Sequence, residues 1–384
     1  MIVVILVIIL VIILAIILLL PKGKTKSYKL NGPPLLSASE SEKYFKIGKI
    51  GTITRSQLPD TVKQALDAKG EFILKLPITH IPESYKCPEL CAEPLNQGSC
   101  GSCWAFSTSG MLTDRTRPVT DQHLRVSLNY RDGNTVRKIR DQLSPFFLAG
   151  CDYCDTANHD RAITDFLISR NDCNKRCQGG ILQYSLQWIH DNGLMTLTCD
   201  ESSLGAYYCH KVGNLNQIIP LGASHPCHMF KYGTPQRYNL YDSEDLTGTK
   251  LKENMENIQR AIKTLGTVSA SFIVYPSFYD FFGIHKGEIY GTQPGEKEVA
   301  VGGHAICIVG WGTEDGKLFW ICRNSWGVDW NDTGFFKILR GVNLCNIESD
   351  VWGCDPDLQW IESIDKKYHL DDPTLQALLE SQTS

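Results

Sequence analysis

Residues 1–20 form an unbroken apolar run of Val, Ile and Leu with a single Ala, and no Lys or Arg precedes it. As a helix rising about 1.5 Å per residue, such a run reaches roughly 30 Å, the depth of a bilayer core. A removable leader usually has a charged start and a small-residue cleavage site. Neither is present, so the run is expected to remain as a single-pass membrane anchor in preference to a removed signal. Over 21–40 the pattern dissolves into Lys, Ser, Gly and Pro, with Pro33-Pro34, which reads as linker. A short helix is expected over 60–68, with Val62, Ala65 and Leu66 on one side. Helical spacing recurs over 104–112 and 181–190, and again where Met255, Ile258, Ile262 and Leu265 share a face. The period then changes. Segments 268–275, 304–311, 319–323 and 334–339 read as strands separated by Gly or Asp turns. This order predicts an α+β chain in four parts: a transmembrane anchor or signal over 1–20, a stem or pro-segment over 21–80, a globular domain over 81–363 and a polar tail over 364–384.

Composition narrows the class. The charge balance, 38 − 42 = −4, gives no electrostatic footprint for nucleic acid, and 42% hydrophobic with 21% charged residues excludes a largely disordered chain. Fifteen cysteines are many, and the number is odd. An odd count fits a disulfide framework of up to seven bridges that leaves one thiol for other work, in a lumenal or extracellular space, with Cys307 and Cys322, on neighbouring strands, open to the alternative of buried free thiols. Lys22, Lys24 and Lys26, just after the apolar run, would instead hold that side in the cytoplasm. The cysteines outweigh three charges, because more residues depend on their explanation. The pairs Cys87-x3-Cys91, Cys151-x2-Cys154 and Cys173-x3-Cys177 have zinc-knuckle spacing, but nothing makes two of them converge, so no metal and no cofactor are assigned. Asn331-Asp332-Thr333 is a glycosylation sequon, usable only if the domain is lumenal.

The chemistry concentrates in Asn96-Gln97-Gly98-Ser99-Cys100-Gly101-Ser102-Cys103-Trp104-Ala105-Phe106-Ser107. A glycine-rich turn feeds into an apolar helix whose first residue is Cys103. Unpaired N–H groups and the partial positive charge of a helix start favour a thiolate, the nucleophilic form. The Gln97 amide, with the backbone N–H of Cys103, would make a two-donor hole for an oxyanion. A base is offered by His304, at the start of a strand behind Gly302-Gly303. A lone strand histidine is ordinarily structural. Here the next strand ends in Asn324, which could hydrogen-bond the far ring nitrogen, with Trp326 placed to shield that bond from water.

These segments, QGSCGSCWAFS, GGHAICIVGWG and WICRNSWG, resemble the papain-type cysteine proteases. The run DTGFFKILRG followed by Cys345-Asn346-Ile347-Glu348-Ser349-Asp350 is similar to the cathepsin B branch, and the likeness extends over residues 81–354. It implies a two-lobed papain-like fold, a helical lobe and a β-rich lobe with the cleft between them. It also implies Cys103 as nucleophile, His304 as acid and base, Asn324 as orienter and Gln97 as oxyanion donor. Gly179 and Gly180 would form the ledge for the substrate backbone, and Asp350 an acidic floor for Arg two residues before the scissile bond. The resemblance also implies a Cys100–Cys177 disulfide. The expected activity is endopeptidase cleavage of protein or peptide substrates through a thioester, by a monomeric zymogen tethered through residues 1–20.

The chain departs from that pattern in two ways. His304 lies 201 residues after Cys103 and Asn324 lies 221 after it, against roughly 130–150 for papain itself. Part of the excess sits between Thr113 and Cys173 and is expected to form surface loops. The region around 199–229 carries His210, His225 and His228 but no adjacent pair of histidines, which is why an endopeptidase is expected and not a dipeptidyl carboxypeptidase. A catalytically silent relative would be expected to lose the cysteine or the histidine. A purely structural ectodomain would not explain a cysteine at a helix start opposite a histidine.

Overall fold

The computed structural model describes residues 31–68, 72–87, 92–123, 142–152, 174–195, 197, 230–295 and 297–357. The apolar run over 1–20, the tail over 364–384, most of the 113–173 insert and the three histidines of 199–229 lie outside these residues. Among the described residues no helix is long and apolar enough to cross a membrane.

The chain enters through α1 (Ala38–Phe45), inside the stretch that composition marks as linker. Its signal was local: Ser37 and Glu40 form a reciprocal capping box, each side chain bonding the other's backbone N–H. Helix α2 (Asp60–Asp67) lies where expected and buries Val62 and Leu66. Ala65 faces solvent, and the third buried side chain is Lys63, whose ammonium reaches Glu244 at 2.5 Å. A lysine can be buried along its stem while its charge finds a partner.

Helix α3 (Cys103–His123) is followed by α4 (Pro145–Cys151), α5 (Leu182–Asn192), α6 (Gly248–Leu265) and α7 (Pro276–Ile284). The eight strands are β1 (Tyr85–Lys86), β2 (Gln236–Arg237), β3 (Val268–Val274), β4 (Ile289–Tyr290), β5 (Gly302–Glu314), β6 (Lys317–Arg323), β7 (Phe335–Leu339) and β8 (Val351–Gly353). They form one sheet in the order β2-β8-β3-β5-β6-β7-β4, with β1 added to β5. The sheet is antiparallel except where β4 runs parallel to β7.

Strand β5 is the wall shared by two cores. Alternate side chains of a strand point to opposite faces. Ala305, Cys307 and Val309 therefore join the cluster around Trp104, Leu182 and Leu186, whereas Ile306 and Ile308 join the cluster around Phe272, Phe278 and Phe336. Polar pins fix α3 against this wall. Ser107 Oγ donates to the Ile306 carbonyl at 2.6 Å, and the Cys307 thiol donates to the Ser107 carbonyl at 3.0 Å. Farther along α3, Asp114 pairs with Arg323 of β6 at 3.0 Å, and both are buried. Removing either partner would strand a buried charge, so this pair locks the angle between helix and sheet.

The cysteine arithmetic is corrected. Five described cysteines are free and buried: Cys103, Cys307, Cys322, Cys345 and Cys354. Cys307 lies opposite Arg323 and Cys322 opposite Ile308, so the two thiols point to opposite faces of the sheet and enter different cores. There they act as small hydrophobic fillers. Cys177 is joined to Cys100 by a disulfide, which removes it from any zinc knuckle.

Candidate active site

Helix α3 begins at Cys103 because the glycine-containing turn Gly98–Gly101 cannot continue a helix and the run that follows is apolar. The disulfide from Cys100 to Cys177 ties this turn to the turn that carries Gly179 and Gly180. The docking of α3 on β5 brings Cys103 beside the start of β5. Backbone groups of Ala305, Gly51 and Trp104 near the sulfur favour its anion.

His304 is fully buried, and its Nε2 lies 2.7 Å from Asn324 Oδ1. The same Oδ1 accepts the Ser325 backbone N–H at 2.8 Å, which identifies it as the oxygen. Nε2 of a neutral His304 must therefore carry the proton, and Nδ1 holds the lone pair. Among the described residues Nδ1 has no hydrogen-bond partner. It is the nitrogen left to serve the sulfur. Trp326 stacks on the imidazole, with ring centroids 5.0 Å apart and planes at 24°.

A strand of the chain's own N-terminal segment fills the space above these groups. Thr52 Oγ1 lies 3.1 Å from Cys103 Sγ. On one side the Gly180 N–H donates to the Gly51 carbonyl at 2.8 Å, and the Gly180 carbonyl accepts from Ile53 N at 3.0 Å. On the other side Thr52 N donates to the Gly303 carbonyl at 3.0 Å. Main chain meets main chain so closely that a Cβ on Gly51 would lie 2.4 Å from the Gly101 oxygen, and one on Gly303 would lie 2.2 Å from the Thr52 oxygen. Glycine is the only residue that fits at either position. Gly180 does the pairing, whereas Gly179, at φ 128°, turns the chain after Arg176–Gln178.

Gln97 Nε2 donates to the Lys49 carbonyl at 2.8 Å and to the Cys100 carbonyl at 2.7 Å. Its expected acceptor position is thus held by a carbonyl of the N-terminal segment. Ser325 fixes the side chain, donating from Oγ to Gln97 Oε1 at 2.5 Å while its carbonyl accepts Gln97 N at 2.9 Å. Sequence reasoning missed this support, although Ser325 stands in the same motif as Asn324 and Trp326. It also missed Lys49, Gly51 and Thr52, whose only signal was a short β-branched stretch punctuated by glycine.

With the N-terminal segment in place, burial acts against the expected thiolate. Burial raises the Cys103 thiol above its ordinary value, and the bonds from Thr52 and the backbone only partly offset this. Burial also lowers His304 to about 4, against the opposing Asn324 bond. A helix start does favour the anion, but a peptide strand that keeps water off both groups outweighs it. Cys103 and His304 therefore rest as a neutral pair.

Asp350 is also buried. It accepts the Ser271 hydroxyl, Trp352 Nε1 at 2.7 Å and the backbone N–H of Arg55 at 3.0 Å. Burial raises its pKa, and those three donors act against that rise. Arg55 belongs to the N-terminal segment. Its guanidinium turns away, to Asp67 at 2.7 Å and Asp242 at 2.8 Å. The sequon residue Asn331 is committed to its own turn, donating to the Phe335 carbonyl at 2.6 Å.

A family model described as papain family cysteine protease matches residues 83–131 and 164–353. A gut-specific cysteine proteinase of Caenorhabditis elegans is 31% identical over 257 residues, which span 67% of this chain and 66% of that protein. Cathepsin B-like cysteine proteinase 6 of the same nematode is 29% identical over 297 residues, 71% of this chain and 65% of that protein. Among solved structures, procathepsin B S9 of Trypanosoma congolense superposes with a TM-score of 0.50 at 20% identity, over 84% of this chain and 99% of that one. That likeness establishes the fold.

Proposed function

Since this chain belongs to the papain family of cysteine proteases, we propose that it is a latent peptidase, held inactive by its own residues 31–68, that cleaves protein substrates once this segment leaves. The carrying observation is the peptide strand Lys49–Ile53. It bonds Gly180 on one wall and Gly303 on the other while Thr52 sits 3.1 Å from the Cys103 sulfur. A cleft that binds an extended main chain from both sides, with a thiol beneath it, is equipped to take a substrate in the same place.

On release of the segment, water and charge return to the site. The proton of Cys103 passes to His304 Nδ1, and the resulting thiolate attacks the substrate carbonyl. Gln97 Nε2, freed from Lys49, and the helix-start backbone stabilise the oxyanion. The imidazolium then protonates the leaving amine, and the imidazole activates the water that hydrolyses the thioester. Asn324 keeps Nε2 as the donor throughout, so that Nδ1 always handles the proton. Gly179 positions Gly180, the residue that pairs with the substrate backbone. When Arg55 N–H withdraws, Asp350 is left with a vacant acceptor position that an Arg side chain of the substrate can reach.

We read the enzyme as a monomeric endopeptidase of a lumenal or extracellular space, tethered through residues 1–20. The Cys100–Cys177 disulfide supports the oxidising compartment.

The test uses protein made in an oxidising compartment and matured at mildly acidic pH. Fluorogenic amides bearing Arg-Arg and Phe-Arg should be turned over in a thiol-dependent manner, and Cys103→Ala should abolish both activities. Asp350→Asn should lower Arg-Arg cleavage about tenfold relative to Phe-Arg, the loss of one charge-assisted pair. A folded, processed enzyme without turnover, whose Cys103 resists alkylation, would instead be a silent member of the family.

A further inference from the structure

Helix α7 carries a side chain that the mechanism above does not use. Tyr279 is only 3% exposed. Its ring stacks on Trp326 with centroids 5.3 Å apart and planes at 13°, and Trp326 in turn stacks on His304. From this platform the Tyr279 hydroxyl donates to the Gly48 carbonyl at 2.9 Å. Gly48 itself lies flat on the indole, so close that a Cβ there would be 2.2 Å from the Trp326 ring.

The bonds to the strand therefore form a series. Tyr279 holds the carbonyl of Gly48, Gln97 that of Lys49, Gly180 that of Gly51, and Asp350 takes the N–H of Arg55. Gln97 marks the oxyanion position and Asp350 the acyl side, so Tyr279 lies on the opposite, leaving-group side of the cleft. Among the described residues the bond to Gly48 is the only one this hydroxyl makes. Once the N-terminal segment departs, this hydroxyl faces the cleft, and a substrate carbonyl can take the place of the Gly48 carbonyl.

We infer that the Tyr279 hydroxyl is a substrate-binding group of the matured enzyme: a hydrogen-bond donor for a main-chain carbonyl of the peptide on the leaving-group side of the scissile bond. This rests on the peptidase reading given above. The ring stack keeps the hydroxyl in register with His304, so that a leaving peptide gripped here presents its nitrogen to the imidazolium. The same grip favours a peptide amine over water as acceptor of the acyl group in the reverse step.

The experiment compares wild type and Tyr279→Phe, both matured from the full chain and normalised by alkylation of Cys103. Phe retains the stack and removes only the hydroxyl. Two substrates share one acyl sequence: a coumarin amide, with no peptide beyond the bond, and an internally quenched peptide extending four residues past it. The expected result is a drop of about tenfold in kcat/KM for the extended peptide, with the coumarin amide changed less than twofold. During turnover of an ester, transfer of the acyl group to an added dipeptide amide should fall by a similar factor relative to hydrolysis. Equal losses on both substrates would make Tyr279 a support for Trp326 and His304 and overturn the inference. No loss on either would leave the hydroxyl as a latch for Gly48 alone and overturn it equally. If wild type turns over neither substrate, the peptidase reading itself falls, and this inference falls with it.

Discussion

At the scale of single residues, the resting protonation states make a pH-dependent lock. His304 falls from an ordinary value near 6.5 to about 4 when buried beneath Thr52 and Trp326. A base whose folded pKa is depressed contributes stability to the closed state above its unfolded pKa, and that contribution is lost as pH falls from 6.5 toward 4. Opening the cleft lets the imidazole take up a proton, so acid favours opening, by as much as about 3 kcal/mol at the bottom of that window. Asp350, whose carboxyl burial raises, acts in the opposite sense. In a Cys103→Ser pro-form, exchange of the Thr52 and Ile53 amides, corrected for intrinsic rates, should therefore quicken below pH 6.5. His304→Phe, which keeps a ring against Trp326 but cannot titrate, should remove that part of the profile. An identical pH profile in the two proteins would exclude His304 as the sensor.

At the scale of elements, α2 and the turn before it are the clamp of the N-terminal segment. Arg55 bridges Asp67 and Asp242, and Lys63 reaches Glu244. Burial raises the Asp242 carboxyl, yet Arg55, Arg237 and Lys63 together hold it below its usual range. A carboxylate with a depressed pKa keeps its pairing until the pH falls below the ordinary carboxylate value of about 3.9. Mild acid therefore acts on His304 and leaves this clamp closed. Mutation reaches it directly. Arg55 is nearly buried, but Asp67 and Asp242 are 45% and 28% exposed, so water screens part of the attraction. Arg55→Leu should loosen the segment by about 1–2 kcal/mol and speed maturation about tenfold at fixed pH, followed as the appearance of the short form on a gel. The specific activity of the matured enzyme should be unchanged, because Arg55 has left it. The location of this clamp was only half legible. The period of α2 showed Val62 and Leu66, whereas the burial of Lys63 depended on Glu244, which is 181 positions away in the chain. Helix α1 was legible in its Ser37–Glu40 capping box, but its flanking Pro and Gly composition masked it.

At the scale of the whole molecule, the apolar run and the cysteine usage make a joint prediction. Full-length protein should stay with membranes through an alkaline carbonate wash, whereas a chain beginning at residue 31 should wash off and still mature. Release of the full-length protein by the wash would rule out the anchor. The sequence by itself determined the family and the class of fold. The turn-then-cysteine start of a helix, the glycine-backed histidine and the strand ending in Asn-Ser-Trp are local patterns, and local patterns survive in one dimension. Strand and helix periods likewise marked β3, β5, β6, β7, α3, α5 and α6, because a face that must be buried leaves its spacing in the chain. What only the tertiary structure decided depends on separation. It set which cysteines stay free, because Cys307 and Cys322 reach different cores only through the register of β5 with β6. It set the neutral state of Cys103 and His304, because the group that excludes water arrives from residues 48–54. It also placed the Tyr279 hydroxyl over the cleft, through a stack of side chains from three separate segments. Charge state and solvent exclusion belong to the assembled environment, and no single stretch of this chain contains that environment.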